Sequence, residues 1–181
     1  MKKWIQSAIA VLLGCICLVP GAAFAAEAPE TNPVPEGGYV ATDPTQDDTV
    51  FTQDELLILD AAEDYGATAT GARTSGLITS ATLKFSMNSN TMLISGLTKC
   101  VSGVKKCGFT KVVVMRRLNA SYTWAPYQTY KDLYKDGTTY SLSKKLVVNP
   151  GWYYYVEGVH YAKKNALSTQ KITSETGVKK V

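Results

Sequence analysis

The part of the chain from Arg73 onward predicts an all-β domain, an antiparallel β-sandwich, and three observations carry that prediction. Short runs of alternating apolar and polar residues recur along it. Gly, Asn, Asp and Pro separate the runs, and about 110 residues are enough for one two-layer core. A disordered acidic tether and a short N-terminal helix precede the domain, behind an export signal. A small open barrel is the alternative architecture for the same strands.

Residues 1–25 have the form of a signal peptide: Lys2 and Lys3, an apolar run from Ile5 to Val19, then the small-residue site Ala23, Phe24, Ala25. The run falls short of the roughly 18 to 20 residues a permanent anchor needs, so no transmembrane anchor is expected after cleavage. Leu12, Leu13, Gly14 and Cys15 offer a rival lipoprotein-type site, but the apolar sequence continues past Cys15 to the ordinary one. The expected location is secreted, extracellular or at the cell envelope. Export excludes nucleotide-driven enzymes and gene regulators, and it permits disulfides.

Charge then divides the chain. Residues 26–72 hold 11 acidic residues and no Lys or Arg, whereas residues 73–181 hold 17 basic and 4 acidic residues, a net of +13. Residues 26–50 are rich in Pro and acid and poor in large apolar side chains, so they lack the surface to offset their ordering entropy and are expected to be a disordered acidic tether. Residues 51–72 make a short helix and linker: Thr52 and Glu55 have capping-box spacing, and Leu56, Leu57 and Leu59 supply an apolar side. The segment either folds back on the basic domain or frays as a linker. The second reading is preferred, because so short a helix is marginal in water without packing.

Residues 73–181 form the β-sandwich domain. Leu83, Phe85 and Met87 alternate with Lys84 and Ser86; Tyr140, Leu142, Leu146 and Val148 alternate with Ser141, Ser143 and Lys145. Further strands are expected at 91–98, 109–118, 123–131, 151–161 and 168–173. Turn signals lie between them at Asn88-Ser89-Asn90, Ser102-Gly103, Lys135-Asp136-Gly137, Asn149-Pro150-Gly151 and Lys163-Lys164-Asn165. After Pro150-Gly151, Trp152, Tyr154 and Val156 fall on one side of a strand and Tyr153, Tyr155 and Glu157 on the other. This segment resembles the strand after a Pro-Gly corner in fibronectin type III and other immunoglobulin-like domains. The resemblance implies an immunoglobulin-like sandwich.

A wider resemblance rests on Cys100, on Lys111 through Leu118, on Trp124 and on Gly151 through His160, which follow in an order similar to that of an uncharacterised family of small exported Firmicutes proteins. It implies a Gram-positive source and the layout of signal, acidic spacer and single β domain, but no activity. Cys107 and the basic Lys105-Lys106 loop depart from that pattern.

Few residues here carry chemistry. Cys100 and Cys107 flank a hairpin loop, and a disulfide between them would contribute about 2 to 3 kcal/mol. Nothing near them has the setting of a redox catalyst or a zinc site. His160, the only histidine, shares the inward phase of Trp152 and Tyr154, which suits a satisfied core residue better than a general base. The four carboxylates of the β domain include Asp132 and Asp136 beside a turn, with nothing to raise either pKa. No catalytic residue, cofactor or metal is implied.

What remains is surface. Aromatic and lysine side chains cluster around Trp124, Tyr127, Lys131, Tyr153 and Tyr155, the expected ligand-binding residues. The opposing reading is that alternate aromatics fill the core. The expected function is a non-enzymatic binding or interaction module with an anionic cell-wall polymer or glycan as partner, and no nucleic acid. A secreted hydrolase or accessory factor with an unrecognised site, and a purely structural extracellular protein, are the alternatives.

Overall fold

A computed structural model describes residues 50–62 and 76–181. The expected signal peptide, the expected tether up to residue 49, the expected linker at 63–72 and the first residues of the domain, 73–75, lie outside the described residues. Helix α1 (Gln53–Asp60) is followed by β1 (Ile78–Asn88), β2 (Thr91–Cys100), β3 (Lys106–Arg117), β4 (Ala125–Asp136), β5 (Thr139–Val147), β6 (Tyr153–Lys163), β7 (Thr169–Glu175) and β8 (Lys179–Lys180). All seven expected strands are present. The eighth continues the β7 edge of β6 after residues 176–178, where Thr176 Oγ1 accepts the Val156 N–H at 2.9 Å.

Two antiparallel sheets form, one of three strands ordered β1-β2-β5 and one of five ordered β4-β3-β6-β7, with β8 pairing β6. First, second and fifth strands thus face fourth, third, sixth and seventh, an immunoglobulin-like Greek key rather than an open barrel. The corner before β6 carries a second hallmark of that class. Tyr154 Oη accepts the Asn149 N–H at 3.1 Å and donates to the Asn149 carbonyl at 3.2 Å, a tyrosine corner that fixes the crossing from one sheet to the other.

The core lies between the sheets. Leu83, Phe85, Ile94, Leu142 and Leu146 come from one, and Phe109, Val112, Val114, Tyr130, Tyr154 and Val156 from the other. Gly96 leaves room for the Phe109 ring, since a Cβ there would come within 2.8 Å of its Cζ. His160 is fully buried beside that ring and links the layers: Nδ1 lies 2.7 Å from Thr98 Oγ1 on β2, and Nε2 lies 2.8 Å from Ser174 Oγ on β7. The Thr98 hydroxyl donates to the Gly108 carbonyl, so Nδ1 donates to Thr98 and Nε2 accepts from Ser174. Burial holds this imidazole neutral, with its pKa lowered to about 4.

Helix α1 does not fray. Thr52 Oγ1 accepts the Glu55 N–H and the Glu55 carboxylate accepts the Thr52 N–H at 2.7 Å, completing the capping box. The helix packs on the outer face of the β1-β2-β5 sheet, where Leu59 is buried and Leu93, on the side of β2 away from the core, is fully covered. Glu55 pairs with Lys145 Nζ at 2.7 Å, which holds its carboxyl below the usual range with help from the Thr52 N–H. Packing supplies what the isolated segment lacks.

Candidate functional site: the outer face of the five-stranded sheet

Strand register decides which side chains meet on this face. Phe109 pairs with Leu133 on one side and His160 on the other, and this row points into the core. The rows between such inward rows therefore point outward. One holds Lys131, Lys111 and Val159; a second holds Tyr134, Gly108, Tyr161 and Lys171; a third holds Asp136, Lys106 and Lys163. Gly108, at φ 152°, leaves no room for a Cβ against the Leu133 carbonyl, and the strands close up there. The Tyr134 and Tyr161 rings then meet over it with centroids 5.2 Å apart.

Five lysines therefore ring two tyrosines. Lys106 faces Lys163 directly, and Lys111 faces Lys131. Adjacent strands stand about 4.8 Å apart, and like charges so placed destabilise a sheet. Among the described residues, ion pairs form at Lys84 and Lys145 and none engages these five. Lys106 Nζ instead sits 5.5 Å over the Tyr134 ring. A belt of acid follows, where Glu157 faces Glu175.

The residues expected to bind ligand are only partly brought together. Trp124 and Tyr155 meet edge to face at 4.5 Å, and the Arg117 guanidinium lies 4.4 Å over the Trp124 ring. Tyr153 is next to them with Lys180 Nζ 5.5 Å above it. Tyr155 is on the outer face as expected, yet Trp124 covers it and only 7% is exposed. Its hydroxyl donates to Glu157 Oε1, and burial pushes its pKa up to about 12. Lys131 shares the face but not the cluster: Lys111, its partner, lies four residues along β3 from Met115, the partner of Tyr155, a distance of about 13 Å.

Tyr127 does not belong to the outer cluster. Val114 pairs with Gln128 but Met115 with Pro126, so Tyr127 is the extra residue of a bulge. Its ring packs edge-on against inward-facing Tyr154 at 5.7 Å, and its hydroxyl donates to the Val147 carbonyl. The Arg116 guanidinium is clamped 4.5 Å from both the Tyr127 and Trp152 rings. Its Nε and Nη1 are buried without a hydrogen-bond partner, and the ring faces offset that cost.

Cys100 and Cys107 are neighbours, as their spacing requires, with sulfurs 3.0 Å apart, but they stand as thiols and not as a formed disulfide. Cys107 Sγ donates to the Thr98 carbonyl at 3.2 Å. Burial raises both thiol pKa values, that of Cys100 to about 12, which removes the thiolate a redox catalyst needs. Lys106, Lys111, Lys163, Lys171, Tyr134 and Tyr161 are not among the expected ligand-binding residues. The signal existed in their alternate positions, but cross-strand register alone makes them one surface.

Comparison with protein-family models, with curated proteins and with solved structures finds no match to this chain.

Proposed function

We propose that the protein is an exported, non-enzymatic binding module that holds an anionic polymer, such as a cell-wall polymer, on the outer face of its five-stranded sheet. The single observation that carries this reading is the lysine block at Lys106, Lys111, Lys131, Lys163 and Lys171, where Lys106 faces Lys163 and Lys111 faces Lys131, and where Asp136, across from Lys106 on β4, is the one carboxylate in these rows and forms no ion pair with them among the described residues. Such a block opposes folding, and a polyanion laid across it reverses the sign of that term. A neutral glycan fits less well. Trp124, Tyr134 and Tyr153 each carry a cation over the ring, on a face that sugar stacking would use.

The export signal and the resemblance to exported Firmicutes proteins support the location outside the membrane. Among the described residues no helix is long and apolar enough to cross a bilayer, which says nothing of β-barrels. In an oxidising exterior, the 3.0 Å approach of the sulfurs supports a Cys100–Cys107 bond in the exported form.

The deciding experiment is retention of the chain lacking residues 1–25 on immobilised polyphosphate and on a neutral polysaccharide, each across a salt series. Retention on polyphosphate that falls steeply with salt is expected, together with its loss in the Lys111→Glu, Lys163→Glu double variant. Equal, salt-independent retention on the neutral polymer overturns the reading.

A further inference from the structure

Three connections gather at one end of the sandwich: 101–105 between β2 and β3, 137–138 between β4 and β5, and 164–168 between β6 and β7. Lys105 N–H donates to the Lys163 carbonyl at 2.8 Å and Gly137 N–H to the Lys105 carbonyl at 2.9 Å, which ties the three together. On and beside them stand Lys99, Lys105, Lys106, Lys135, Lys163 and Lys164, with Asp136 as the one acidic residue of these segments. The last loop is closed on itself. Lys164 N–H donates to the Ser168 carbonyl, and Leu167 N–H donates to Asn165 Oδ1 at 3.0 Å.

This Asx turn presents Leu167 with 99% of its surface exposed, more than any other large apolar side chain among the described residues. A lone exposed leucine is ordinary on a protein surface. Held on a closed loop inside a group of lysines, it matches a surface with fixed anionic charge and an apolar layer just beneath. That surface is a bilayer containing anionic lipid, whose phosphates meet the ammonium groups while the leucine enters the acyl boundary.

We propose that this end of the sandwich docks on an anionic lipid surface with Leu167 inserted between the headgroups. The proposal goes beyond the polymer reading, with which it shares Lys106 and Lys163, and Leu167 separates the two, because it adds nothing to binding a soluble polyanion. One apolar side chain plus a polybasic group gives weak, reversible attachment.

The test is co-sedimentation of the chain lacking residues 1–25 with vesicles of phosphatidylglycerol and phosphatidylcholine, and with phosphatidylcholine alone. Binding only to the first is expected. Lys164→Gln should lower it about fivefold. Leu167→Ser should lower it at least about fivefold and leave polyphosphate retention unchanged. In Leu167→Trp, brominated lipid should quench emission beyond the baseline set by Trp124 and Trp152. Three results overturn the proposal: no vesicle binding while polyphosphate is retained, vesicle binding that survives Leu167→Ser, or no added quenching in Leu167→Trp. Failure to bind either vesicles or polyphosphate overturns both readings.

Discussion

Lys111 on β3 and Lys131 on β4 sit directly opposite one another on the outer sheet face, and both are exposed. An unlike pair in that position contributes about 0.2 to 1 kcal/mol, whereas a like pair opposes folding. Lys131→Glu is therefore expected to raise the melting temperature slightly and to weaken polyphosphate retention. A variant that is less stable, or that keeps full retention at low salt, removes the case for this face.

Leu59 tests the docking of α1. It is buried against the β1-β2-β5 sheet, so Leu59→Ala should cost about 2 to 3 kcal/mol in denaturant unfolding. A helix that merely frays in solution would lose nothing. Thr52→Ala should add about 1 kcal/mol more through the lost cap.

Tyr153 and Tyr155 point the same way but should respond differently. Tyr155 lies under Trp124, and Tyr155→Ala is expected to cost about 2 to 4 kcal/mol, while Tyr153→Ala costs under about 1 kcal/mol. Equal melting temperatures for the two variants would mean that Trp124 does not cover Tyr155 in solution.

If the protein is exported as proposed, it should carry a Cys100–Cys107 bond. Intact mass after alkylation, with and without reductant, reports it directly. Reduction is expected to lower stability by about 2 kcal/mol. Two alkylated thiols in unreduced extracellular protein would show the thiol pair to be the native state.

His160 makes stability depend on pH below neutrality. The unfolded imidazole takes a proton near 6.5 and the folded one only near 4, so between these values the unfolded state binds more protons. Stability is thus full above pH 6.5 and falls as pH drops toward 4, by on the order of 3 kcal/mol. Glu55, held low by Lys145, contributes in the same direction but only near and below its ordinary 4.5, so the upper part of the window reports His160. Chemical-denaturant unfolding at successive pH values measures the slope. An NMR titration showing the ring protonated in folded protein at pH 6 would contradict it.

Much of the architecture was legible because strand alternation is local. Tyr154 and Val156 could be assigned inward from their phase after Pro150-Gly151, and His160 with them. The same logic failed at Tyr127, where the bulge against Val114 and Met115 turns the ring to the other side. A bulge depends on the partner strand, and nothing in the 123–131 segment announces it. Lys144 is the converse case: in an unbroken register it keeps the inward phase of Leu142 and Leu146, pairs with inward-facing Ile94 and is buried despite its charge, its Nζ 5.9 Å over the Tyr130 ring.

By itself, the sequence determined the sandwich class, the capped start of α1, the buried histidine and the approach of the two cysteines. Each depends on residues close in the chain or on a period of two that a strand enforces. Only the tertiary structure decided that Lys106 faces Lys163 and Lys111 faces Lys131, that Trp124 roofs Tyr155, and that α1 rests on Leu93. Those neighbours are set by cross-strand register and layer packing between distant segments, and one bulged residue is enough to exchange a surface side chain for a buried one.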